Sequence, residues 1–484
     1  MTPSPGAGPW RKLAFAALLA AYFFLVSWDT LKAPFTADEM MAIHIYWHPS
    51  PWRLLTSQFL LWRGYFRPLG ALFYIPAFLT FGLNPVPYHA LLLLLLLAGA
   101  YQMYRFARVL GSSELGAAMV ALIACYHGGL SNLYYESVFV FDVLCGIFCL
   151  AAFTHYARIR SSGRLLTRGQ TLGFLGLYLC ALNSKEMAVT MPVMLLAYEW
   201  LYRKPPRLAW NMPWRELAGW LRGEGRVLCW AGLMNVVYIW GKQYGQYGLM
   251  KLPAYRPALS WERLVDFEQR YLGDIFYNLP RFGGPATCAI WLVVTYFAWR
   301  SKRPVLRFCW FWVVLTPLPI MFLEGRDQAC LYVTLGGWAV LGATLFMDWL
   351  PTATRVVAGE PWFQRLEQGR VRAMLAAAAM LVWAWGNWSY KEAWIAPVIP
   401  KIDPQIREVL AEVRAVNPRV PPGAKVVFLD DPFHSFDMAF IAELWFRDRR
   451  TRVILNQQTP LPPEEIANAD AIFAWRDGKL IRVR

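Results

Sequence analysis

Long apolar runs, separated by short connections that carry most of the arginine and lysine, constrain this chain more than any motif does. A helix needs about 17 to 25 apolar residues to cross a bilayer. Eleven segments read as such runs: 13–31, 88–107, 114–129, 137–157, 171–183, 187–202, 227–241, 284–299, 305–323, 328–350 and 373–395. The sequence is 57% hydrophobic and 17% charged, too apolar for an ordinary soluble enzyme, so the expected class is a polytopic α-helical membrane protein. A net charge of +16 would suggest nucleic acid in a soluble chain. Here the positive residues sit between apolar runs, as in cytoplasmic loops, so the bilayer is the expected partner and nucleic acid is not. The 25 Trp and 23 Tyr suit interfacial belts. No small-residue cleavage site follows Leu31, so the first run reads as a retained signal anchor. The eight cysteines are scattered singly through apolar runs, with no disulfide framework or zinc spacing.

The segment 68–82, PLGALFYIPAFLTFG, is barely long enough to cross and has Pro76 inside it. Parity decides its expected place. With 68–82 lying in the interface, the basic connections at Arg105/Arg108, Arg158 to Arg168, Arg203 to Arg226, Arg300 to Arg307 and Arg355 to Arg372 all fall on the side of Arg11 and Lys12. The positive-inside rule then predicts eleven spans, a cytoplasmic N-terminus and an outer C-terminus. The expected membrane domain is 1–395, with a first outer loop at 32–87. The remainder, 396–484, is too polar to cross. It alternates helix (403–416), strand (425–430), helix (435–447), strand (452–456), a short helix (463–468) and a hairpin around Asp477-Gly478, which predicts a small outer α/β domain.

This topology gathers several charges on the outer face, in the loop with Asp38 and Glu39, in 126–137, in the turn 182–186 and in 323–328. A longer outer connection, 242–283, contains an amphipathic stretch from Trp261 that suits an interfacial helix. Two adjacent carboxylates at a membrane surface cost free energy unless solvated or paired, and read by default as a functional site. Thr36 with Glu39 also fits a capping box, which leaves Asp38 unexplained. His44 and His48 share a helix face at a spacing that suits a metal, but no HExxH glutamate accompanies them, and interfacial packing is the favoured reading over a metal site. Asp430 and Asp431 follow a strand and are explained equally by a turn before Pro432. The sequence has no phosphate loop, no GxSxG nucleophile elbow and no Asp-x-Asp pair, which disfavours a cytosolic nucleotide-sugar donor.

The stretches TADE (36–39), FRPLG (66–70), GLNPVPYH (82–89), LNSKEMAVTMPVMLLAYEW (182–200) and GRDQACLYVTLGGWA (325–339) resemble the glycosyltransferase C (GT-C) superfamily, nearest to its protein O-mannosyltransferase-like branch and bacterial relatives. The resemblance covers roughly residues 10 to 350. It implies a GT-C fold of about 11 transmembrane helices plus juxtamembrane helices, in a bacterial inner membrane with its site facing the periplasm. It also implies transfer of a sugar, with inversion, from a polyprenyl-phosphate donor to a protein, lipid or glycan acceptor. Asp38 would be the base that takes the acceptor proton, and Glu39 would orient Asp38 or a bound cation. A lipid phosphate as leaving group needs fixed positive charge, for which Arg326 is the first candidate and Lys185 and Arg67 follow. Local alternatives are a lipid headgroup contact or a pair such as Lys185 with Glu186. His89 would touch the donor phosphate or cap its helix. Glu136 and Asp142 would bind sugar, anchor the juxtamembrane helices or pair inside the bundle. The stretch YHGGLSNLYYES (126–137) departs from the branch's histidine-proline pattern and leaves sugar and acceptor open. No cofactor is required; a divalent cation, Mg or Mn, is compatible with the chemistry, and no metal ligand set stands out. A lipid-linked-glycan flippase, or a silent scaffold on the same fold, are the alternatives; a flippase predicts inverted repeats, and none is visible.

Overall fold

The structure is a computed structural model that describes residues 9–63, 65–203, 214–245, 248–278, 281–326, 328–361, 364, 368–433 and 438–484. Parts of the basic connections expected at 203–226 and 355–372, Asp327 and the first residues of the helix expected from 435 lie outside these. The chain is mostly helical, and each of the eleven apolar segments contains helix. Among the described residues, five helices are long and apolar enough to cross a membrane: Leu13–Lys32, Pro85–Val109, Ser137–Ser161, Pro304–Met321 and Gln328–Ala358. The helix ends are set by local chemistry. Asn84 caps the helix that opens with Pro85, Ser113 caps the one from Glu114, and Thr167 with Gln170 forms a capping box before Arg168.

Small residues let the central helices close on bulky ones. Tyr332 wedges against Gly99 and Gly146, where an added Cβ would lie 2.0 Å from its hydroxyl and 2.7 Å from its ring, respectively. Phe106, Phe153, Phe308 and Trp312 interlock deeper in the bundle, with centroids 4.7 Å apart for Phe106–Trp312 and 5.1 Å for Phe153–Phe308. Between helices this packing, with no water to expel, supplies cohesion.

The helix Ala71–Phe81 carries Pro76 within it and lies along the helix Ala37–Trp47. Tyr74 stacks on Tyr46 at 5.5 Å, and Phe78 meets Trp47 at 5.1 Å. The same Phe78 underlies Arg447 of the C-terminal domain, and Arg414 donates to the Leu83 carbonyl. This short helix therefore touches both the helix that carries the acidic pair and the C-terminal domain.

The C-terminal domain is a four-stranded sheet in the order β2-β1-β3-β4, with β1 Lys425–Phe428, β2 Arg452–Leu455, β3 Ala471–Arg476 and β4 Lys479–Arg482. β1 pairs in parallel with β2 and β3, and β3 pairs antiparallel with β4 through Asp477 and Gly478, both at positive φ as a tight hairpin requires. The helices Pro404–Val416, Met438–Phe446 and Pro463–Ala467 complete the alternation read from the sequence. Asp431 accepts from the backbone of Phe433 and Met438, so it holds the turn after β1.

Candidate functional site

The Asp38 helix, Ala37–Trp47, begins with a complete capping box. The Thr36 side chain accepts from Glu39 N, and Glu39 accepts from Thr36 N at 2.7 Å. The second Glu39 oxygen accepts from Ser137 N at 2.6 Å, and the residue is fully buried. Glu39 thus ties the start of this helix to the segment before the helix Val140–Ser161. Asp38, the residue before it in the first turn, takes no part in the cap and is exposed to a cavity of about 380 Å³.

That cavity brings together most of the residues singled out above. Asp38, Arg67, Asp142, Lys185 and Arg326 all line it, with Tyr255 between the two arginines. Lys185 donates to Asp142 Oδ1 at 2.5 Å and reaches Cys330 Sγ at 3.1 Å. Arg67 pairs with Glu186 at 3.2 Å and donates to the Tyr255 hydroxyl at 3.2 Å. The partner of Lys185 is therefore Asp142, across 43 residues, while its neighbour Glu186 serves Arg67. Burial pushes the Glu186 carboxyl up, but Arg67 and then Lys185 pull it down to about 2, so this pair is ionic at every working pH. Arg326 stands apart. Its guanidinium lies 4.6 Å over the Tyr255 ring and donates only to the Gly325 carbonyl; it has no ion-pair partner among the described residues. Of the three cations that line the cavity, it is the one least committed to partners among the described residues.

Asp38 faces opposing influences. The protein wall around it raises its carboxyl above the usual range, Asp403 raises it further, and Arg326 pulls it back. Asp403 comes from the linker into the C-terminal domain and accepts from Ala37 N at 2.8 Å, so it caps the same helix. Glu136 completes the acidic group without lining the cavity. Burial first, then Glu39, Asp38 and Asp403, push it up to about 8. It keeps its proton near neutrality, which leaves Asp38 as the exposed negative charge of the site.

His89 lies in the interior of the helix Pro85–Val109, fully buried, with Nε2 3.9 Å from Glu39 Oε1. It lines no part of the cavity, and the capping role belongs to Asn84. Among the buried polar atoms of the cavity residues, Asn132 Oδ1, Asp142 Oδ2 and Arg67 Nε have no hydrogen-bond partner among the described residues. Buried polar groups are ordinarily satisfied, so a polar ligand rich in hydroxyls suits this wall. A larger cavity of about 610 Å³, between helices Gly284–Arg300 and Tyr332–Ala358, is walled by apolar side chains apart from His127 and offers no carboxylate or fixed cation.

Tyr255, Asn132 and Asp403 were not expected from sequence. Tyr255 sits in a Pro-rich loop with no periodicity, and Asp403 is 366 residues from the amide it caps. Only the Asp-Pro dipeptide at 403–404 marked a helix start, and it marked its own helix. No protein-family model matches this chain, and no curated protein matches it in sequence at a significant level.

Proposed function

We propose that this protein is a membrane glycosyltransferase that moves a sugar from a polyprenyl-phosphate donor to an acceptor hydroxyl at the extracytoplasmic face. The observation that carries this reading is one cavity lined by an exposed carboxylate, Asp38, and an uncommitted cation, Arg326. The proposed topology has eleven spans with the segment 68–82 resting outside the bilayer core, a cytoplasmic N-terminus and an outer C-terminal domain, in a bacterial inner membrane. The packing of Ala71–Phe81 between the Asp38 helix and the C-terminal domain supports it.

In the proposed reaction the acceptor oxygen bonds to the sugar C1 from the face opposite the phosphate, so the configuration inverts. Its proton passes to Asp38. The C1–O bond to phosphate breaks, and its electron pair leaves on the phosphate oxygen, where Arg326 meets the added negative charge. Arg67 and Lys185 are already paired, so they supply a fixed local field and position Tyr255 and Asp142, whose free oxygen can accept from a sugar hydroxyl. Glu39 acts by holding the helix, and these steps draw on Arg326 rather than on a divalent cation.

The test uses purified protein in nanodiscs with radiolabelled polyprenyl-phosphate hexoses and a membrane extract. The expected result is label moving to an acceptor, with free polyprenyl phosphate released. A flippase would instead move intact carrier across sealed vesicles, and label that stays on the carrier with every hexose would remove the transferase reading.

A further inference from the structure

The C-terminal domain grips the Asp38 helix at three points. Asp403 caps its first residue, and at its far end Arg449 donates to the Trp47 carbonyl at 2.7 Å while stacking 4.5 Å over the Trp47 ring. Between these lies a third contact with different chemistry. His44 and His48, one turn apart, present roughly parallel rings 5.4 Å apart to Glu443 from the helix Met438–Phe446. His44 Nε2 is 2.5 Å and His48 Nδ1 is 3.9 Å from Glu443 Oε2.

We propose that His44, His48 and Glu443 form a binding site for a divalent transition metal, best suited to Zn²⁺, that staples the C-terminal domain to the Asp38 helix. The three ligand atoms lie within 4.8 Å of one another. Zinc bound about 2.0–2.1 Å from each ligand in tetrahedral geometry holds them roughly 3.3 Å apart, so His44 and Glu443 open slightly and His48 closes in. Two imidazoles and one carboxylate suit zinc and exclude magnesium and calcium, which take oxygen ligands. The His48 side chain is 60% exposed, which gives the ion an entry path and leaves a fourth position for water. His44 packs edge-on to Phe440 at 4.9 Å, which fixes its ring. The site is apart from the proposed chemistry. His44 lies six residues beyond Asp38, about 9 Å along the helix and 120° around it, so one ion cannot serve both. The metal's role is to hold the helix on which Asp38 rides.

The identification holds whether or not Asp38 acts in glycosyl transfer, because the experiment reads the metal directly. Full-length protein, with any affinity tag removed and stripped by chelator, is titrated with zinc chloride against a chromogenic chelator, and its thermal unfolding is followed with and without zinc. The expected result is one equivalent bound by wild type, with a zinc-dependent rise in unfolding temperature. His48→Ala, a change at an exposed side chain, and Glu443→Gln, which keeps the side-chain shape, should each weaken binding by at least about tenfold and abolish the rise. Absence of zinc binding by wild type, leaving only the His44–Glu443 hydrogen bond, overturns the proposal. So does binding whose stoichiometry and affinity are unchanged in both variants, since the ion then sits elsewhere.

Discussion

Asp38→Asn should reduce sugar transfer by about 10²–10⁴-fold, the range a positioned general base supplies, without loss of folded protein. The substitution is nearly isosteric and removes only the group that accepts the proton. Two features separate this from damage to the fold. Asp38 takes no part in the capping box, which runs through Thr36 and Glu39, so the helix keeps its start. The ionised carboxylate is also disfavoured where it stands, by burial and by Asp403, so a neutral amide relieves repulsion. The unfolding temperature should be unchanged or slightly higher, while kcat falls. Transfer retained above about a tenth of wild type would remove Asp38 from the chemistry. By contrast, Glu39→Gln should lower stability more than it lowers kcat in the protein that remains folded, because both carboxylate oxygens serve backbone amides.

The largest stability effect is expected far from the cavity. Arg160, 1% exposed, lies in the last turn of the helix Val140–Ser161 and makes a bidentate pair with Glu199, which is 0% exposed. The two bonds measure 2.7 and 2.8 Å, and Tyr156 donates to the same carboxylate at 2.8 Å. Glu199→Ala leaves the guanidinium buried with the half-exposed Glu224 at 3.3 Å as its ion partner and the Arg164 carbonyl at 3.2 Å, and breaking a buried pair this way costs about 3–5 kcal/mol. The double change Arg160→Met with Glu199→Leu removes both charges and should recover most of that loss, because desolvating two ions offsets much of their attraction. Chemical unfolding in detergent distinguishes the cases. A loss below about 1 kcal/mol in Glu199→Ala would mean that water or lipid headgroups reach Arg160 and satisfy it.

What was legible in the sequence was local. Leucine-rich runs gave helices, Thr36 with Glu39 gave a capping box, and Asp477-Gly478 gave the hairpin, since each depends on residues within one or two turns. The alternation of strand and helix gave the α/β character of the C-terminal domain, while the parallel pairing of β1 with β2 and β3 was read only from the structure. Partner choice was not legible. Lys185 has Glu186 beside it in the chain yet pairs with Asp142, because the extended backbone at Lys185 sends adjacent side chains in opposite directions. Arg67 finds Glu186 across 119 residues, and Glu443 meets His44 across 399, separations over which no periodicity carries information. Tyr255 belongs to the site for the same reason: the fold, and nothing in its own loop, sets it between Arg67 and Arg326.

In the proposed mechanism Asp38 is a base whose pKa, raised first by burial, is raised further by Asp403 on one side and lowered by Arg326 on the other. The pH dependence of kcat/KM for transfer tests it most directly, since its acid limb reports the base of the free enzyme. Asp403→Asn removes a negative neighbour, lowers the Asp38 pKa and should move the acid limb to lower pH. Arg326→Gln removes the opposing positive charge, raises that pKa and should move the limb to higher pH, alongside a loss of rate from weaker phosphate binding. Opposite displacements of the two limbs are the predicted result; limbs that stay in place, or that move in the same direction, would contradict the account.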